Sequence, residues 1–453
     1  MSVLIVTAIF MILFLMIGIY AGKKANTKEE YHLAGRKLKG WQVGLSAGAT
    51  ANSGFIVVGA VGMGYKMGII SLLYPLGWFL GDLIFWFLLA PKIRNDNIVK
   101  QSFTVAEVLS LKYKYLPIKY LVALIVIVFL SVYAASQLIA SYKAIYPFFN
   151  LPENEIILLS FLIVILYVMW GGFKSSVYTD ILQAIIMIIL VSGLLLWSFI
   201  HMGHDFNSIA SSDSGQHSLK NLVLIIIGFL FLALGFNLSQ PQVLTRIFAS
   251  MDTKEIQKAK WIYILFLQFT WAGMTLFGIF AKNLLPGLKD PEMAVAELSK
   301  QYFPDIIIGF ILVGIIATIL SSVDSMIVST SSSLVVDFEL EKRLRNISPK
   351  KLYILSTLLV GLIVLIFALF LKSTVFFLVI FAISMMAASI GSAMLIYSLG
   401  ISKNPKLLIT IIIYGLLLSI IWRDSGLTNT ISEVPVAIIS SLLLAFLLKK
   451  VFR

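Results

Sequence analysis

Long apolar runs recur along this chain, and two of them are interrupted by residues a continuous helix would not carry: Ser46-Ala47-Gly48-Ala49-Thr50-Ala51-Asn52-Ser53-Gly54 and Gly235-Phe236-Asn237-Leu238-Ser239-Gln240-Pro241-Gln242. In a bilayer, backbone groups released from a helix survive only where they are buried in protein or line a cavity. Paired interruptions in two halves of a chain therefore point to the binding site of a secondary transporter. For the first break alone, close packing of small residues between helices explains the composition equally well. Pro241 between two glutamines is harder to read as packing, because it removes a helical donor and places amides in an apolar run.

The surrounding composition fixes the solvent. With 59% hydrophobic and 13% charged residues over 453 positions, the chain lies far outside the range of water-soluble domains. It reads as an all-α polytopic membrane protein. Thirteen runs are long enough to span at about 1.5 Å per residue: 2–22, 41–63, 68–91, 118–149, 154–171, 178–202, 219–249, 259–284, 304–337, 352–371, 374–400, 406–422 and 433–450. The first lacks a basic leader and a small-residue cleavage site, so it reads as a retained helix rather than a signal peptide.

The net charge of +13 follows topology rather than an anionic partner. With the N-terminus outside, alternate loops and the C-terminus, all on the cytoplasmic side, hold 27 of the 35 Lys and Arg, which is the positive-inside bias. No nucleic-acid partner is expected. The absence of cysteine excludes disulfides and thiolate chemistry. His201, His204 and Asp205 read as a solvated loop rather than a metal site.

Polar stretches are all loop-sized, so 1–453 is expected to form one membrane transport domain. An extra N-terminal helix (2–22) precedes two blocks of five spans, 41–202 and 219–400, and two C-terminal helices follow within 406–450. An odd number of spans per block inverts one block relative to the other, the arithmetic of an inverted repeat. Each block then begins with an interrupted segment.

Five motifs in order add a resemblance: Tyr31-His32-Leu33-Ala34-Gly35-Arg36 followed by Leu45-Ser46-Ala47-Gly48-Ala49; Trp170-Gly171-Gly172-Phe173; Tyr178-Thr179-Asp180-Ile181-Leu182-Gln183; Gln240-Pro241-Gln242 with Arg246; and Ser321-Ser322-Val323-Asp324-Ser325. On these the chain resembles the sodium:solute symporter family, which includes sodium/proline, sodium/sialic acid and sodium/galactose symporters. The resemblance implies a LeuT-type core of ten inverted-repeat helices and sodium-coupled solute uptake by alternating access.

Thr318, Ser321, Ser322 and Ser325 share one helical face at i, i+3, i+4, i+7. They can converge on a small hard cation, although such hydroxyls also bond back to their own helix. The resemblance implies that the carbonyls of Ala49, Asn52 and Thr318 and the hydroxyls of Ser321 and Ser322 ligate sodium. It also places Asp180, Ser321, Asp324 and Ser325 at a second cation site. Carboxylates in spanning segments are functional by default; Asp82 is a third, with no family role assigned. The sodium/proline transporters carry an aspartate where this chain has Ala51. Ser53, Phe55, Gln137, Phe236, Asn237 and Gln240 are the solute-binding candidates.

The function expected is therefore uptake of a small polar solute, an amino acid such as proline or a small carboxylate, coupled to sodium as the co-transported ion. Solute, sodium and lipid bilayer are its partners, and a monomer suffices to hold every candidate residue. The alternatives are a proton-coupled symporter of the same fold and a transporter-like membrane sensor. No HExxH or nucleophilic triad suggests an enzyme.

Overall fold

A computed structural model of the chain describes residues 2–22, 27–201 and 218–449. His204 and Asp205 lie outside the described residues. Helix covers the described part of each of the thirteen expected spans, with shifted ends, and ten helical stretches among the described residues are long and apolar enough to cross a membrane. Large apolar side chains, among them Ile9, Leu166, Ile189, Phe370 and Leu447, face outward from the bundle, an arrangement only a hydrocarbon solvent tolerates on this scale.

Two expectations about loops are revised. The segment between 171 and 178 is helical, so Glu153–His201 is one helical stretch bent at Gly172. Gly172 has φ 58° and ψ −164°. A Cβ there would lie 2.7 Å from the Tyr31 ring, so both conformation and space require glycine. The polar stretch after residue 92 carries the helix Val105–Tyr113, capped by the Thr104 side chain accepting from Glu107 N. The helix Ser2–Gly22 is docked in the bundle, where Ser175 Oγ donates to its Gly18 carbonyl at 2.8 Å.

Both interrupted segments break. The helix Gly40–Ala51 ends at Asn52, whose ψ of 76° is non-helical, and helical turns resume at Phe55–Ala60. The second break is a single residue: Gln240 (φ −82°, ψ 110°) closes Leu219–Ser239 and opens Pro241–Ala249. Its N–H donates to Phe236 O and its carbonyl accepts from Val243 and Leu244. Proline at the first position of the new helix loses nothing, since that donor has no helical partner anyway.

The two broken helices are tied together at one end. Leu38, just before Gly40–Ala51, pairs with Ser250, just after Pro241–Ala249. Leu38 N donates to Ala249 O at 3.1 Å, and Met251 N donates to Leu38 O at 3.0 Å. Arg94 adds donors to Ser250 O and Met251 O, and Arg36 reaches Phe248 O, Val99 O and Ser102 O.

Candidate ion and solute sites

The first break faces the serine-rich helix Asp305–Ser332. Ser321 Oγ donates to Ala49 O at 3.0 Å and to Thr318 O at 3.0 Å. Ser322 Oγ lies 2.9 Å from Thr50 O and 3.4 Å from both Asn52 O and Thr318 O. The five sodium-ligand candidates Ala49, Asn52, Thr318, Ser321 and Ser322 are thus brought together, all buried. Uncharged oxygens converging at a helix break suit a monovalent hard cation. Thr50 was not singled out from sequence, yet its carbonyl and its hydroxyl both face the same helix.

One turn further along lies the proposed second cation cluster, and it contains a cation of the chain's own. Arg246 is fully buried. Its Nη2 donates to Asp180 Oδ2 at 2.8 Å, Ser325 Oγ at 2.7 Å and Ser176 Oγ at 3.1 Å; its Nε donates to Ser46 Oγ at 2.9 Å and its Nη1 to Gln242 O at 2.6 Å. The Phe173 ring lies 5.0 Å from the guanidinium carbon. Ser46 also donates to Asp180 Oδ2, at 2.6 Å. Ser325 Oγ donates to Asp324 Oδ1 at 3.0 Å and contacts Ser176 and Thr50 hydroxyls. Asp180, Ser321, Asp324 and Ser325 therefore lie near one another, with Arg246 rather than open space between Asp180 and Ser325. Sequence placed Arg246 in a motif without a role; a lone arginine in an apolar run was the available signal.

Beside the first break is an aromatic cavity lined by Ala51, Phe55, Ile56, Trp78, Tyr133, Phe236, Leu267, Trp271, Ile380 and Ile383. Its rings interlock, with centroid separations of 5.1 Å for Phe55 and Trp271, 5.0 Å for Trp78 and Trp271, and 5.1 Å for Trp78 and Phe236. At about 10 Å³ it has room for roughly one water, so it is closed. Of the solute candidates, Phe55 and Phe236 line it. Ser53 and Gln137 instead hold the break: Gln137 Oε1 accepts from Gly54 N at 2.6 Å, and Ser53 Oγ accepts from Tyr133 OH at 3.0 Å and Phe55 N at 3.2 Å. Asn237 faces Asp82, and Gln240 accepts from Gln242 and contacts Met386 Sδ. Trp78, Tyr133 and Trp271 went unnoticed because aromatics in spanning helices are common and their meeting is a tertiary fact.

A helix bundle with paired breaks, ion-type oxygens at the first and a closed cavity beside it defines a secondary transporter. Comparison with known proteins gives the family: residues 31–404 match the model of the sodium:solute symporter family, and the chain belongs to that family. It is 28% identical over 444 residues to the osmoregulated proline transporter OpuE of Bacillus subtilis (strain 168), covering 95% of this chain and 90% of the relative. It is 27% identical to the high-affinity proline transporter PutP of the same organism, covering 95% and 94%. Among solved structures, a Na+-coupled sialic acid symporter in a substrate-bound outward-open state superposes with a TM-score of 0.83 at 19% identity, covering 100% of this chain and 98% of that one. The nucleobase-cation-symport-1 family transporter Mhp1 superposes with a TM-score of 0.54 at 14% identity, covering 94% of each chain. The fold is thus the LeuT type, and the chain couples sodium entry to uptake of a solute. It is a transporter rather than an enzyme.

Proposed function

We propose that the solute is proline or a similarly compact amino acid, bound in the aromatic cavity, and that one sodium ion binds at Ala49, Asn52, Thr318, Ser321 and Ser322. The observation that carries this reading is adjacency. Asn52 and Ser53 end the helix whose carbonyls face Ser321 and Ser322, and Phe55, three residues on from Asn52, is a wall of the cavity. An ion that fixes the break fixes that wall. The relatives named as proline transporters, matched over nearly the whole chain, support proline as the solute, and a small apolar ring suits a cavity made of aromatic faces.

A second cation between Asp180, Ser321, Asp324 and Ser325 requires Arg246 to leave Asp180. With Arg246 seated, one sodium accompanies each solute. Ser53, Gln137, Asn237 and Gln240 act on the solute through the two breaks, whose shapes they set. The blocks 41–202 and 219–400 are the inverted repeats, and the Lys and Arg distribution puts the N-terminus outside and the C-terminus in the cytoplasm. Proteoliposome uptake from a labelled panel of proline, other amino acids, sugars and carboxylates, with and without a sodium gradient, tests the reading. Sodium-driven accumulation of proline is expected, and accumulation of another class alone overturns it.

A further inference from the structure

Asp82 belongs to neither the ion site nor the ring of side chains that lines the cavity. It is fully buried on the helix Leu73–Ile84. Its Oδ1 accepts from Asn237 Nδ2 at 2.7 Å. Among the described residues its Oδ2 has no hydrogen-bond partner, and neither has Asn237 Oδ1. Asn237 spends its other donor on Ala233 O at 2.9 Å. Among the described residues no Lys, Arg or His pairs with Asp82. The titratable groups facing it are Tyr263, from the helix Thr253–Leu284, and Tyr133 beyond it, from Leu116–Phe149; the second broken helix contributes only the neutral Asn237.

An ionised carboxylate with one hydrogen bond and no countercharge is costly in such surroundings, whereas the neutral acid is not. Its placement says when a proton could move. Trp78, one helical turn before Asp82, lines the cavity, and so does Phe236, the residue before Asn237. Three residues after Asp82 the helix widens into a π turn at Phe85–Leu89, a local irregularity that often marks functional positions in helices.

We propose that Asp82 is a proton-binding site behind the wall of the solute cavity, holding one proton while the cavity is closed and exchanging it with water only when the wall opens. The proposal rests on the aromatic cavity being the solute site, but not on the identity of the solute. The balance is simple: a proton from water neutralises Oδ2 as the wall closes and returns to water as it opens, with no other bond changed.

Infrared spectroscopy of the lipid-reconstituted protein at neutral pH, without added solute, tests it. The wild-type minus Asp82→Asn difference is expected to contain the C=O stretch of a protonated carboxyl, and loss of a carboxylate band instead would show a bound sodium or an ionised acid and overturn the proposal. Should Asp82→Asn not fold, Asn237→Leu, which removes the donor to Oδ1, must shift the same band; a spectrum without that shift overturns the proposal. Transfer to heavy water then reads access. The band should shift slowly in wild type and at least tenfold faster in Phe236→Ala, whose wall is opened, and equal rates overturn the link to the cavity. A failure of proline uptake leaves these results standing and counts only against the choice of solute.

Discussion

Ser322 illustrates how much a single hydroxyl carries, since it spans carbonyls of Thr50 and Asn52 on one helix and Thr318 on its own. Ser322→Ala leaves helix propensity intact but deletes one ion oxygen, so the sodium concentration for half-maximal uptake should rise roughly tenfold, about 1.4 kcal/mol. Sodium titration of uptake checks this, and an unchanged value would remove Ser322 from the site. Arg246 sets a different problem. Arg246→Met alone strands a buried Asp180 and should cost about 3–5 kcal/mol, while the paired change with Asp180→Leu should recover much of it. Thermal unfolding of the two variants in detergent decides, and equal losses would mean that the pair is not coupled. The hydroxyl periodicity of 318–325 made the serine face legible from sequence. The role of Arg246 was not legible, because its partners Ser46, Ser176, Asp180 and Ser325 come from three separate helices.

At the scale of elements, both breaks could be read from composition, but their shapes could not. Pro241 announced the second, and the finding that Gln240 alone serves as end and start required the backbone. The first depends on Gly54, where a Cβ would lie 2.6 Å from Ala140 Cβ, and on Gln137, read from sequence as a solute ligand. Gln137→Leu removes the acceptor of the Gly54 N–H, and a buried donor left unsatisfied costs about 1–3 kcal/mol. Lower thermal stability together with weaker sodium-induced stabilisation is expected, because the same break presents the carbonyls of the proposed ion site. A variant with parental sodium stabilisation would return Gln137 to the solute. At the second break, Pro241→Ala with Gln240→Leu should restore a continuous helix and abolish saturable proline uptake while membrane insertion persists, as surface labelling would report.

For the whole molecule, the membrane class was visible in hydropathy, and the ordered motifs pointed to the family. The docking of short elements was invisible. His32, in the short helix Lys28–Leu33, is buried. It contacts Ser332 Oγ at 3.0 Å and Tyr353 OH at 2.6 Å, and Tyr353 in turn donates to Glu341. Burial, with Lys28 nearby as a lesser cause, pushes its pKa from 6.5 down to about 3. The unfolded chain then binds more protons than the folded one between these values, so the contribution of His32 to stability is present above pH 6.5 and declines as pH falls towards 3. His32→Gln should flatten this part of the melting-temperature profile in detergent, and an unaltered slope would assign the acid sensitivity to other groups.

The clasp of Leu38 and Ser250 has a mechanical corollary. The half-helices Gly40–Ala51 and Pro241–Ala249, one presenting carbonyls of the proposed ion site and the other carrying Arg246, are joined end to end through two backbone hydrogen bonds braced by Arg94. Neither can swing far without dragging its counterpart. A symporter dissipates its gradient whenever the ion crosses unaccompanied, and a joint shared by both half-helices would oppose that slippage by linking their movements. Arg94→Ala, which removes the brace, is expected to raise sodium leakage from proteoliposomes without solute, and an unchanged leak would show that the two half-helices move independently.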